Sequence, residues 1–267
     1  MNTKKIGFIG SGNMASALMT SIISSEKYDA EDIISSDRNK ECLSKINSLS
    51  IKTTESNLDV VDEADIIFIA VKPNIVKIVL EEIKDLIQNK PKIIVSIAAG
   101  ITINFIESIL ENAKIIRVMP NTPCLVGEMA AGFSCNKNIT QDEKIIIKNL
   151  LNLGGIAFEV EEEKLDLVTG LSGSGPAFVA RIINYFTEAG IENGLEKEIA
   201  YKLALQTFYG TAKLLKEENI SPEQLIEIVS SPNGTTVAGR EILENSDMKN
   251  IILKTITRAK DRSIELR

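Results

Sequence analysis

Lys5-Ile6-Gly7-Phe8-Ile9-Gly10-Ser11-Gly12-Asn13-Met14-Ala15 joins an apolar run, a glycine turn and the start of an amphipathic stretch without interruption. That context gives a G-x-G-x-x-A pattern its meaning, because a strand feeding a helix through two glycines is the dinucleotide fingerprint. Gly10 permits the tight turn, Gly12 lets the backbone approach a pyrophosphate without a Cβ, and Ala15 permits close helix-to-strand packing. The anion then rests on the free N–H groups at the helix start. A glycine turn joining strand to helix with no ligand is the plain alternative.

Outward from this segment, short apolar runs alternate with amphipathic stretches as far as Gly155. That alternation predicts successive βα units in a parallel sheet buried on both faces. Strands are expected at Lys5–Ile9, Ile33–Ser35, Ile66–Ala70, Ile93–Ile97 and Ile115–Met119, with helices at Met14–Ser24, Lys40–Asn47, Ile75–Ile87 and Ile103–Leu110. A strand or hairpin follows at Ala130–Cys135, a helix at Gln141–Leu153 and a strand near Ile156–Val160. The fold class is therefore α/β, with a Rossmann-type dinucleotide-binding domain over residues 1–160.

Beyond Glu161 the strand signal fades, and residues 161–267 read as an all-helical dimerisation and substrate domain. Helices are expected from Pro176 to Glu192, from Lys197 to Glu218, from a capping box at Ser221-Pro222-Glu223-Gln224 to Val229, and from Asp247 to Glu265. The apolar stripes on the first two are broad, carrying Phe178, Ile182 and Phe186, then Leu203, Phe208 and Leu214. About a hundred residues with few strands do not cover such stripes alone, which predicts a homodimer, or a larger assembly of dimers. Packing on the first domain is the alternative.

With 44% hydrophobic and 25% charged residues in 267, the chain has an ordinary globular balance. Its 37 acidic against 30 basic residues give a net charge of -7 and no basic block, which argues against a nucleic-acid partner. No apolar run reaches the length of a membrane span and no signal-peptide core precedes the first strand, so a cytoplasmic protein with no membrane partner is expected. Cys42, Cys124 and Cys135 are scattered, reading as buried thiols, and there is no histidine. No metal site is expected, and proton shuttles and nucleophile relays built on histidine are excluded.

Ser35-Ser36-Asp37-Arg38 follows the second strand, where an acidic residue accepts from the ribose 2′-OH of NADH and an arginine holds the 2′-phosphate of NADPH. A guanidinium beside two hydroxyls tilts the reading towards NADPH, and an inward-pointing Asp37 opposes it. Three further loops end strands where such folds bind ligands: Ala70-Val71-Lys72-Pro73, Ala98-Ala99-Gly100, and Arg117-Val118-Met119-Pro120-Asn121-Thr122-Pro123. Taken singly, each is equally ordinary turn chemistry.

With Leu171-Ser172-Gly173-Ser174-Gly175-Pro176-Ala177 and Ser230-Ser231-Pro232-Asn233-Gly234-Thr235-Thr236 added, the chain resembles the pyrroline-5-carboxylate reductases over nearly its whole length. The resemblance implies reduction of a five-membered cyclic imine carboxylate to L-proline, the last step of proline biosynthesis, by hydride from NADPH or NADH. It assigns cofactor contacts to Ile9, Gly10, Ser11, Gly12, Asn13, Met14, Ser36, Arg38, Asn57, the loop from Ala70 to Pro73 and the loop from Ala98 to Gly100. Substrate contacts fall on Asn121, Glu162 or its neighbour Glu163, Ser231, Asn233, Gly234, Thr235 and Thr236. Thr236 is the catalytic residue, positioned to hydrogen-bond the ring nitrogen.

The residues are consistent with that chemistry. A protonated imine already carries the electrophilic charge that a carbonyl needs an acid to create, so the missing histidine is no obstacle. Hydroxyls and a close-approach glycine just before a helix near Val237 make a reasonable carboxylate site, though a capping loop serving only the helix would look the same. The resemblance implies glycine in most family members where this chain has Asn233, and asparagine also tolerates left-handed backbone. A β-hydroxyacid dehydrogenase would need a lysine near Val179, and a non-catalytic nucleotide sensor would leave the threonine loop without a purpose.

Overall fold

The computed structural model describes residues 4–90 and 92–266. In chain order the elements of its first half are β1 (Ile6–Ile9), α1 (Asn13–Ser24), β2 (Ile33–Ser36), α2 (Lys40–Asn47), β3 (Lys52–Thr54), α3 (Asn57–Glu63), β4 (Ile66–Ile69), α4 (Pro73–Asn89), β5 (Ile93–Ser96), α5 (Ile103–Glu107), β6 (Lys114–Met119), β7 (Met129–Cys135), α6 (Gln141–Leu151), β8 (Gly155–Glu159) and α7 (Leu165–Val168). The strands form one sheet in the order β3-β2-β1-β4-β5-β6-β7-β8. It is parallel throughout, except where β7 runs antiparallel to β6.

Every residue of β1, β2, β4 and β5 is buried, because helices cover both faces. Side chains alternate along each strand. Ile6 and Phe8 of β1 and Ile66 and Phe68 of β4 face α1, α2 and α6, and Phe8 stacks on Phe68 with ring centroids 4.6 Å apart. Ile9, Ile67 and Ile69 face α3, α4 and α5, where Val60, Leu80, Ile83 and Ile106 complete the second core layer.

The second half is helical: α8 (Gly175–Glu192), α9 (Lys197–Glu218), α10 (Pro222–Ile228), α11 (Thr235–Glu244) and α12 (Met248–Glu265). The chain divides into two compact units, one running to Ser174 and resuming at Thr257, the other comprising Gly175–Ile256. Within the first, buried Ser263 near the end of α12 donates its hydroxyl to buried Asp166 at 2.8 Å. Within the second, Phe186 of α8 meets Phe208 of α9 edge to face at 5.0 Å.

Several expectations shift. The exposed edge strand β3 and the seven-residue α3 lie where no element was expected, and α5 stops at Glu107. The segment Thr169–Gly173 winds as one π turn, closed by Ser174 N–H donating to Thr169 O at 2.8 Å. Of the three thiols only Cys124 is fully buried; Cys42 and Cys135 are half-buried. No helix among the described residues is long and apolar enough to cross a membrane.

Candidate functional site

In the first unit, β1, β2, β4 and β5 end side by side, and strand order reverses direction from β1 between β2 and β4. That reversal opens a crevice at the carboxyl ends of the strands. Backbone hydrogen bonds lace the rim together: Gly10 N–H donates to Ser36 O, Ala70 N–H to Ile9 O, and Ile97 N–H to Ile69 O, at 2.8–3.1 Å. The glycine turn, the end of β2, the Ala70–Pro73 loop and the Ala98–Gly100 loop are thereby brought to one edge.

Gly10 holds φ at +101°, and a Cβ there would lie 2.8 Å from the Ala70 carbonyl, so the turn admits no side chain. Gly12 has nothing within 4 Å of its missing Cβ; its bareness keeps space open rather than relieving a clash. Gly12 also heads α1 without any side-chain cap or acidic residue in the first turn. By contrast α2, α3, α5, α6 and α10 are each closed by a side chain, from Asn39, Ser56, Thr102, Thr140 and Ser221. An uncapped helix start facing open space fits the pyrophosphate of a dinucleotide.

The remaining residues of this edge divide into surfaces and struts. Asn13, Lys72, Pro73 and Ala99 are exposed, Met14, Ala70, Val71 and Gly100 half-exposed, and Ile9 and Ala98 form the floor. Ser11, Ser35 and Ser36 are buried. Ser11 and Ser35 share a hydroxyl hydrogen bond of 2.8 Å, and Ser36 donates to Asn57 Oδ1 at 2.8 Å, so the hydroxyls beside Arg38 are directed into the protein. Asn57, the first residue of α3, also donates to Glu82 at 2.8 Å.

Asn121 and Glu162 are likewise engaged internally. Asn121 is buried; its amide donates to Ser172 O at 3.0 Å and accepts from Ala130 N–H at 2.9 Å. Glu162 accepts from Arg117 at 3.1 Å and from the Ile103 N–H at 2.7 Å. Arg117, 4% exposed within β6, stood in a candidate loop of the sequence but was given no role there. A charge inside the apolar run Ile115–Met119 was its signal, because a buried guanidinium requires an acidic partner. The pair ties β6 to the start of α5, the helix that follows the Ala98–Gly100 loop. Glu163 is exposed.

In the second unit, Ser231 to Thr236 form a tight turn into α11. Gly234 N–H donates to Ser231 O at 3.0 Å, and a Cβ on Gly234 would lie 2.5 Å from Ser231 Oγ. Asn233 adopts φ +57°, the left-handed backbone expected of it. Gly234 heads α11 with no side-chain cap and no acidic residue in the first turn. Ser231, Thr235 and Thr236 are exposed around those free N–H groups, an arrangement that suits a carboxylate.

A doubly wound sheet with an open glycine turn at its switch point, joined to a helical unit carrying a second glycine-headed, uncapped helix start, defines a dinucleotide-dependent oxidoreductase. Residues 5–100 match the family model described as NADP oxidoreductase, coenzyme F420-dependent, and residues 162–266 match that for pyrroline-5-carboxylate reductase dimerisation. The chain is 37% identical to the pyrroline-5-carboxylate reductase of Methanosarcina acetivorans, over 100% of this chain and 99% of the relative. A solved pyrroline-5-carboxylate reductase from Coxiella burnetii superposes with a TM-score of 0.95 at 34% identity, covering 99% of each chain. The Plasmodium falciparum enzyme, solved with NADP bound, gives 0.86 at 33% identity, covering 100% of this chain and 99% of the other. The chain belongs to the pyrroline-5-carboxylate reductase family.

Proposed function

We propose that the chain reduces 1-pyrroline-5-carboxylate to L-proline with hydride from NADPH or NADH, the final step of proline biosynthesis. The observation that carries the reading is the pair of glycine-headed, uncapped helix starts, α1 in one unit and α11 in the other. They suit the two anionic groups of this reaction, a dinucleotide pyrophosphate and a substrate carboxylate.

The dinucleotide, when bound, supplies the hydride that adds to the C=N carbon. The chain's part is orientation. N–H groups at the start of α1 would hold the pyrophosphate, and the loops Ala70–Pro73 and Ala98–Gly100 would border the dinucleotide along the same sheet edge. N–H groups and hydroxyls of Ser231, Thr235 and Thr236 hold the carboxylate, with Asn233 and Gly234 shaping the loop. Thr236 hydrogen-bonds the ring nitrogen, which retains its iminium proton as the amine hydrogen of proline. Alignment of donor and acceptor then supplies most of the rate. Asn121, Asn57 and the Arg117–Glu162 pair hold the loops in place.

The active form is proposed to be a homodimer in the cytoplasm. Apolar side chains open on the second unit support this, as does a groove of about 510 Å³ lined by Leu214 and Leu215 of α9, Leu225 and Ile226 of α10, and Val229 just beyond it. The test follows absorbance of the reduced dinucleotide with purified protein and pyrroline-5-carboxylate; failure to oxidise either cofactor removes the proposal. Thr236→Val should lower kcat/KM by about tenfold or more while leaving dinucleotide affinity intact. Unchanged kcat/KM would take Thr236 out of the site.

A further inference from the structure

We propose that Asp37 makes NADH the preferred dinucleotide of this chain, by fixing a carboxylate where the 2′-phosphate of NADPH has to lie. The inference rests on the glycine turn being the dinucleotide site and is independent of the imine chemistry.

Asp37 is the first residue after β2; it is half-buried, and both of its carboxylate oxygens are held by backbone donors. One carboxylate oxygen, Oδ2, accepts from the Ser11 N–H of the glycine turn at 2.7 Å. The other, Oδ1, accepts from the Asn39 N–H at 2.8 Å. Two backbone donors therefore hold the group beside the turn, and among the described residues no side-chain cation bridges it. A carboxylate at the end of the second strand, against the glycine turn, stands where the vicinal hydroxyls of the adenosine ribose arrive as donors. The same place brings a 2′-phosphate charge against a fixed negative charge.

What could offset that repulsion is largely committed elsewhere. Ser35 and Ser36 are 0% exposed, with hydroxyls bonded to Ser11 and Asn57, so neither faces a phosphate at the surface. Lys40 is exposed and lies 3.7 Å from Glu55. Arg38 is the exposed cation immediately beside the site. It gives NADPH a weaker, second-rank affinity instead of excluding it. The structure thus distinguishes the two neighbours that the sequence leaves in conflict: Asp37 is held against the glycine turn, and Arg38 is exposed.

The test measures dissociation constants of NADH and NADPH for the full-length protein without substrate, by quenching of intrinsic tyrosine fluorescence or calorimetry. The wild type should bind NADH about tenfold or more tightly than NADPH. Asp37→Asn keeps an acceptor for the Ser11 N–H and removes the charge; it should tighten NADPH about tenfold and change NADH by much less. Arg38→Ala should weaken NADPH and leave NADH unchanged. Tighter binding of NADPH than NADH by the wild type, or an Asp37→Asn ratio equal to the wild-type ratio, would overturn the inference and leave the proposed reaction standing. Binding of neither dinucleotide would remove the glycine-turn reading and this inference together. Thermal melting of each variant separates loss of charge from loss of fold.

Discussion

The two units bury their apolar side chains on different terms. In the first, isoleucine-rich strands are sandwiched between helices, and the rings of Phe8 and Phe68 reach complete burial. In the second, only Ala200, Ala204 and Leu225 are buried apolar residues, although α8 to α12 all carry large aliphatic side chains and α8 and α9 carry tyrosines as well. Tyr209 is 58% exposed, Leu203 55% and Leu253 63%. A sheet covered on both faces supplies its own core. A layer of helices with apolar residues on more than one side needs a further surface, and the proposed second copy is that surface.

The sharpest probe of the first unit is Phe68→Ala, which removes half of a stacked pair from a fully packed layer. It should cost about 3–5 kcal/mol in denaturant unfolding. Leu203→Ala tests the second unit. On an open surface it should change stability by no more than about 0.5 kcal/mol. Beneath a second copy it should cost about 2–5 kcal/mol and make the melting temperature depend on protein concentration. A small effect, together with a monomeric mass by light scattering, would break the comparison.

Smaller effects sharpen it. Ser221 accepts from the Gln224 N–H in the capping box of α10. Ser221→Ala should cost about 1 kcal/mol, read as a melting temperature lowered by a few degrees, because this helix has little burial to fall back on. Cys135, at the end of β7, gives the least. Burial, followed by the nearby Glu159 charge, raises its thiol from 9.0 to about 11. Between those values the folded state keeps a proton that the unfolded chain has lost, so this contribution to stability falls as pH rises past 9.0. Urea melts at about pH 8 and about pH 10.5 should show a smaller loss for Cys135→Ala than for the wild type.

What was legible in the sequence follows the same division. Strands β1, β2, β4 and β5 stood out because burial on both faces demands unbroken apolar runs. The Ser221 box and the start of α2 at Lys40 were legible as local chemistry. Lys52–Thr54 was not, because an exposed edge strand of three residues has neither an apolar run nor an alternation to display. Ser56 caps α3, but seven residues make barely two turns, too few for an apolar stripe to repeat itself. The π turn at Thr169–Gly173 carries no periodic signal of its own.

The candidate site was legible in its backbone features and much less so in its side-chain directions. Gly10, Gly12, Gly234 and the left-handed Asn233 declare themselves by residue type. The inward turn of Asp37 depends on the Ser11 N–H, 26 positions away in the chain. Asn121 and Glu162 look like ligand contacts as residue types, yet their partners are Ser172, Ala130, Arg117 and Ile103. No spacing rule announces partners brought together only by the fold.

Gly10 has a consequence in genetics. Its φ of +101° and the Ala70 carbonyl 2.8 Å from where a Cβ would stand exclude every other residue, however small. Glycine codons differ among themselves only in their third base, so any change in the first two bases installs a side chain or stops the chain. The opening turn therefore has no neutral neighbours in amino-acid space. Lineages that keep the dinucleotide site can drift at this codon only silently, while Asp37 and Arg38, beside the same turn, remain free to change cofactor one base at a time.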